Sequence, residues 1–125
     1  MYYFFKCLRQ YADFKGRACR AEYWYYVLTL WLIDTCLTLS LAIAEADYVT
    51  ILVWRLALYA VAWVPGLAVE MRRLHDIGRS GWWLLIKLVP TVGTCCILFF
   101  ACIDSQPGAN AYGPNPKEDA ATAQP

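Results

Sequence analysis

The sequence predicts an all-α membrane protein, with three transmembrane helices and an N-terminal amphipathic interfacial helix. Three observations lead there. The 125 residues are 60% hydrophobic and only 17% charged, whereas an average soluble domain is about 45–50% apolar and about 25% charged. Three windows each supply the roughly 20 apolar residues that a bilayer core of about 30 Å requires in a helix. The lysines and arginines, finally, collect on one side of those windows. A chain this short is one domain at most. It divides into a cytoplasmic interfacial segment at 1–22, a three-span membrane domain at 23–103 and a polar tail at 104–125.

The first segment begins "MYYFFKCLRQYADF" and places Phe4, Leu8 and Tyr11 at helical spacing, with Lys6, Arg9, Gln10 and Asp13 largely on other faces. Such a helix lies in the cytoplasmic interface, its cations close to anionic lipid. Span one is "YWYYVLTLWLIDTCLTLSLAIA", 23–44. Ala42-Ile43-Ala44 resembles a signal-peptide cleavage site, but the apolar stretch exceeds the roughly 7–15 residues of an h-region and carries Asp34, so the span is retained. Span two is "VTILVWRLALYAVAWVPGLAV", 49–69, and span three is "WWLLIKLVPTVGTCCILFFACI", 82–103. Pro65-Gly66 in span two, and Pro90 with Gly93 in span three, are expected to weaken or kink their helices, which membranes tolerate when neighbouring groups satisfy the freed carbonyls. None of the three has the polar face of an amphipathic soluble helix. In the tail, "PGANAYGPNP" has the turn residues of a short ordered loop with Tyr112 as its anchor, and the final third is too polar to pack.

Orientation follows from the cations. Lys6, Arg9, Lys15, Arg17 and Arg20 precede span one; the turn near Glu45 and Asp47 has none; Arg72, Arg73 and Arg79 separate spans two and three; the tail has only Lys117. Positive loops stay in the cytoplasm. The amino terminus and the 70–81 loop are therefore expected inside, and the acidic turn and the tail outside, in a multi-pass protein. Tyr23 to Tyr26, Trp82 and Trp83 mark the inner boundary, while Tyr48 and Trp54 mark the outer one, the depth that amphipathic rings favour.

Six cysteines do not make a disulfide scaffold here. Cys36, Cys95, Cys96 and Cys102 lie in apolar runs and no C-x-x-C pair occurs, so they read as small buried hydrophobes. Within the spans, Lys87 lies about 8 Å from the inner end and can snorkel to the headgroups without a partner. Asp34 is more demanding, because a lone aspartate at the bilayer centre costs about 2.5–3.5 kcal/mol on the insertion scale. Arg55 differs from it in depth by only about 5 Å. A pair between spans one and two is expected, read as a structural clamp, an ion-handling carboxylate or an intersubunit contact.

The densest polar stretch is "EMRRLHDIGRSGWW", residues 70–83. His75-Asp76 suggests an acid–base pair, and "GRSG" matches the nucleophile motif of rhomboid-type intramembrane proteases. A nucleophile, however, takes its base from a different element, and here the only histidine stands five residues before Ser80. One histidine with Asp76 and Glu70 also makes a poor metal set. No catalytic residue, metal or cofactor is therefore expected. Ser80 reads instead as an N-cap for the helix starting at Trp82, with Gly78 and Gly81 allowing a tight turn. Arg79 then stands beside the positive end of a helix, where anions bind.

"FKGRACRAEYW" before span one, "RRLHDIGRSGWWLL" between spans two and three and "DSQPGANAYGPNP" after span three together resemble the bacterial family of YhaH-like small inner-membrane proteins, domain of unknown function 805. The resemblance covers roughly residues 1–117. It implies a three-span inner-membrane protein and brings no reaction, cofactor or catalytic residues with it; Cys19 and Lys87 do not stand out in its pattern.

Arg17, Arg20, Glu22, Arg72, Arg73, His75, Asp76, Arg79 and Ser80 are thus expected to form one polar cluster on the cytoplasmic face. It reads either as a salt-bridged lock holding span one to the following hairpin, or as a rim for an anionic lipid headgroup or a membrane-protein partner. The expected function is non-enzymatic, acting through that rim, and self-association is plausible for so few helices. A small transporter or channel subunit working as an oligomer, with Asp34 and Arg55 lining the path, is the alternative. The net charge of +1 points to no nucleic-acid partner.

Overall fold

A computed structural model describes residues 5, 7 and 9–117. They form helix α1 (Arg20–Ile43), helix α2 (Tyr48–Asp76), a 3-10 segment (Gly81–Leu88) and helix α3 (Pro90–Cys102). Among the described residues there is no strand, only an isolated bridge between Asn110 and Gly113. At 1.5 Å per residue α1 is about 36 Å long and α2 about 44 Å, each enough to cross a bilayer. Only 11% of the apolar window in either helix is buried within the molecule, so neither is the covered core helix of a soluble protein. Phe4, Lys6 and Leu8, which carry the expected amphipathic pattern, lie outside the described residues, as does the final third of the tail. Among the described ones, Phe5, Cys7 and Arg9 are helical, Phe5 exposed and Cys7 buried.

The α1–α2 hairpin turns at Glu45, which takes a positive φ of 55°. Asp47 then caps α2, its carboxylate accepting from Thr50 N at 3.1 Å and from the Thr50 hydroxyl at 2.6 Å; those bonds hold the Asp47 carboxyl below its ordinary pKa. Pro65 does not end α2. A proline within a helix removes one N–H and crowds the preceding turn, and here the Tyr26 hydroxyl donates to Ala62 O at 2.7 Å, giving a carbonyl in that turn a partner from α1. At its far end α2 closes through Gly78 at φ +73°: Gly78 N donates to His75 O at 3.0 Å and Arg79 N to Leu74 O at 2.8 Å, a cap that glycine adopts without strain.

The third apolar window departs from expectation. It is not one span over 82–103 but a helical hairpin. Ser80 caps the 3-10 segment, accepting from Trp82 N at 3.4 Å, and the segment stops at Val89, which is extended at φ −98°, ψ 97°. The residue before a proline is pushed out of helical geometry, and Pro90 then suits the first turn of α3. The chain doubles back there. Gly93 packs so closely that a Cβ would stand 2.2 Å from Ile86 O, the Trp83 and Phe100 rings meet edge to face at 5.5 Å, and Leu84, Ile86 and Phe100 pack against the buried cluster of Leu74, Ile77 and Ile97. The two arms rise about 16 Å and about 20 Å, both short of a 30 Å core.

Because that hairpin returns, residues 104–117 lie at the same end of the molecule as Arg17 and the end of α2: Gln106 N donates to Asp76 O at 3.1 Å. This corrects the expectation of a tail at the opposite end. Lys87 is corrected as well, since its amine bonds both carboxylate oxygens of Glu70 at 2.9 Å instead of reaching outward alone. A second apolar cluster, Cys7, Ala18, Tyr23, Tyr26, Val69 and Ala101, joins α1, α2 and α3 near this polar end. Among the described residues, neither cluster draws on 31–68, the halves of α1 and α2 nearer the Glu45 turn.

Candidate functional site

The shared end is built around Arg17 and Asp76, the first just before α1 and the second the last residue of α2. Arg17 Nε donates to Asp76 Oδ1 at 2.9 Å, Nη1 to Gly108 O at 2.7 Å and Gly113 O at 3.3 Å, and Nη2 to Gln106 O at 2.6 Å and Asp76 O at 3.4 Å. A guanidinium has five N–H groups, and all are used. One side chain thereby ties the start of α1, the end of α2 and the tail together. Asp76 is fully buried. Its Oδ2 accepts from Arg73 Nη1 and, at 2.5 Å, from the Ser105 hydroxyl, while Arg73 Nη2 bonds Ile103 O at the end of α3.

A second ion pair lies alongside. Arg72 Nη1 stands 2.8 Å from Glu22 Oε1 and 2.6 Å from Gln10 Oε1, and Arg72 Nε donates to Ala68 O at 3.4 Å. Ala18 N donates to Arg72 O at 3.0 Å, so backbone and side chain of one residue both hold the segment before α1. The Cys7 thiol donates to Glu22 Oε1 at 3.6 Å; burial first, and the Glu22 carboxylate next, push that thiol up to about 12. Three buried arginines face two buried carboxylates, and the Gln10 side chain with the carbonyls of residues 68, 76, 103, 106, 108 and 113 supplies the remaining acceptors. Cations at the end of α2 also meet the negative pole of that helix.

His75 stacks flat on Tyr112, ring centroids 4.0 Å apart at 2°, with Nδ1 3.3 Å from Gly16 O. Asn110 Nδ2 donates to His75 O at 2.9 Å. Asn110 and Gly113 exchange backbone bonds at 3.0 and 3.1 Å, closing the loop that Tyr112 anchors. Among the described residues no hydrogen bond links His75 to Ser80, and no group of three His, Cys, Asp or Glu is placed to hold a metal ion.

Of the nine expected cluster residues, six are gathered and buried: Arg17, Glu22, Arg72, Arg73, His75 and Asp76. Arg20, Arg79 and Ser80 are exposed. The Arg79 guanidinium lies 5.2 Å from the centre of the Trp83 ring. A cleft of about 400 Å³ opens beside it, lined by His75, Ser80, Trp82, Leu85 and Tyr112 among others. Asp34 and Arg55 do pair, Arg55 Nε and Nη2 donating to the two Asp34 oxygens at 3.0 and 3.2 Å.

Sequence reasoning missed Gln10, Ser105, Gln106 and the Gly108 and Gly113 carbonyls as partners, together with the Glu70–Lys87 pair. The available signal was the imbalance between motif arginines and motif carboxylates, which demands further acceptors, and a tail rich in turn residues that expose carbonyls. Lys117 adds a clasp, its amine bonding Asp104; that contact and the Ser105 N–H hold the Asp104 carboxyl below its ordinary range.

Known proteins resemble this chain over nearly its whole length. It is 38% identical to inner membrane protein YhaH of Escherichia coli K12, covering 94% of this chain and 98% of that protein. It is 36% identical to inner membrane protein YhaI of the same strain, covering 94% and 97%. No solved structure matches it. The family model described as protein of unknown function, DUF805, matches residues 11–114, a range holding all but three of the side chains that build the shared end, Cys7, Gln10 and Lys117. With two long apolar helices left bare by the rest of the molecule, this chain is a membrane protein, and it belongs to the DUF805 family.

Proposed function

We propose that the protein is a non-enzymatic component of the bacterial inner membrane whose cytoplasmic end holds an anionic lipid headgroup. One observation carries the reading: Arg17, Arg72 and Arg73 are buried among internal acceptors, with Arg72 Nη2 and Arg73 Nε left unpartnered, whereas Arg20 and Arg79 at the same end are exposed. Arg79 stands over Trp83 beside the His75–Tyr112 cleft, and tryptophan favours the headgroup plane. The buried cluster then acts as a frame and the two free arginines as the binding groups, with the cleft receiving the glycerol and upper acyl region. Cations at exposed sites add roughly 1 kcal/mol each near an anionic surface.

Sidedness is part of the proposal. Among the described residues, Lys15, Arg17, Arg20, Arg72, Arg73, Arg79 and Lys117 lie at one end, and the other end offers only Glu45 and Asp47. By the cation rule the shared end faces the cytoplasm. The 81–102 hairpin is then re-entrant, and the chain crosses the membrane twice.

Native mass spectrometry from nanodiscs of phosphatidylethanolamine and phosphatidylglycerol tests the headgroup site. The wild type is expected to retain phosphatidylglycerol, and Arg20→Ala/Arg79→Ala to lose it with the fold intact. Equal retention by both would overturn the site.

A further inference from the structure

We propose that a second copy of this chain covers the outer halves of α1 and α2, with the Asp34–Arg55 pairs of the two copies meeting in one four-charge network. The pair lies far from the polar end, about 10 Å along α2 from Tyr48 and about 13 Å along α1 from Ile43, within the depth of hydrocarbon. There the Arg55 side chain stays 44% exposed and that of Asp34 12%. A guanidinium so open to acyl chains is costly, and lipid tails supply no acceptor. Asp34 and the Tyr59 hydroxyl already serve one side of the guanidinium, and a carboxylate on the cover would serve the exposed side.

A copy of the chain brings one at the right depth. Two-fold symmetry requires a patch that complements itself, and a patch of one cation beside one anion does so, each Arg55 facing the Asp34 of the other copy. The surroundings suit a protein interface. Leu52 and Tyr59 flank Arg55 on its helix face at 40% and 43% exposure, and Trp31, one turn from Asp34, is 64% exposed. Trp31 and Tyr59 also line a groove of about 440 Å³ between α1 and α2 that ends at Glu70 and Lys87, open to receive side chains of the second copy. No other described element packs over this face.

The test uses charge exchange. Wild type and an Asp34→Arg/Arg55→Asp variant, carrying tags of different mass, are co-expressed and examined by native mass spectrometry in nanodiscs. Each chain keeps its internal pair, but a mixed dimer sets like charges across the interface. Dimers of each kind are expected, with mixed dimers depleted about tenfold relative to random mixing. Random mixing, a wild type that is only monomeric, or a different protein seated there in place of a second copy would each overturn the proposal. If the exchanged variant fails to accumulate, Asp34→Asn/Arg55→Gln removes the charges at nearly constant shape. It is expected to raise the dimer dissociation constant about tenfold, and an unchanged dimer would overturn the proposal equally.

Discussion

At the scale of single residues, the chemistry of the polar end rests on what a planar guanidinium can do that an ammonium cannot. Arg17 reaches five acceptors on two segments, the end of α2 and the tail, and lysine at that position keeps the charge while losing most of the geometry. Asp76→Asn is the sharper perturbation because it leaves Arg17 and Arg73 without their carboxylate. Breaking a buried pair from one side costs about 3–5 kcal/mol, so thermal unfolding in nanodiscs should show Asp76→Asn strongly destabilised and Arg20→Gln within about 0.5 kcal/mol of wild type. A harmless Asp76→Asn would mean the cluster is not a lock. Cys7 gives a separate check. With its thiol raised from 9.0 to about 12, the folded state holds the proton more tightly, so the stabilisation is complete below about pH 9 and is lost as pH rises towards 12. At pH 8.5 iodoacetamide should modify Cys7 at least on the order of a hundredfold more slowly in the folded protein than in the denatured chain, as followed by peptide mass. Much of this was legible in sequence. The Asp34–Arg55 pair followed from depth, and the Glu22–arginine contact from two motifs sharing one face. The burial of the arginines was not legible, because their acceptors include backbone carbonyls, which have no residue type.

At the scale of elements, hydropathy found the apolar windows but not their paths. A run of 22 apolar residues satisfies a spanning helix and a returning hairpin alike; the difference lies in Pro90 and Gly93, one breaking the helix and the other letting its two arms touch. Gly93→Ala should force Ile86 O away, and overpacking of this kind costs about 1–3 kcal/mol. Hydrogen exchange should rise across 81–102 and remain unchanged in the outer half of α1; protection unchanged throughout would mean the arms do not pack. Pro65 shows the opposite case, a proline that α2 absorbs. Tyr26→Phe removes the hydroxyl from Ala62 O and should cost about 1 kcal/mol, read as a lower midpoint of thermal unfolding. No shift would mean that the carbonyl finds another donor.

At the scale of the molecule, two features dominate: a charge asymmetry that the sequence displays openly, and a tail whose side depends on whether the chain crosses two or three times. The cation count placed the amino-terminal segment and the 70–81 loop together, and they are together. The tail is expected at the opposite end only if 82–103 is one continuous helix, and its single lysine carries too little charge to object. Its true neighbours are Arg17 and Asp76, which fasten Gln106 and Gly108 to the end of α2. The most direct measurement is therefore a pair of fusions after Pro125 in bacterial cells, one to green fluorescent protein and one to alkaline phosphatase. A re-entrant hairpin predicts bright fluorescence and no phosphatase activity, both chain ends lying in the cytoplasm. Active phosphatase with dark fluorescent protein would put the tail outside, and the platform built on Arg17 and Asp76 could not exist in the membrane.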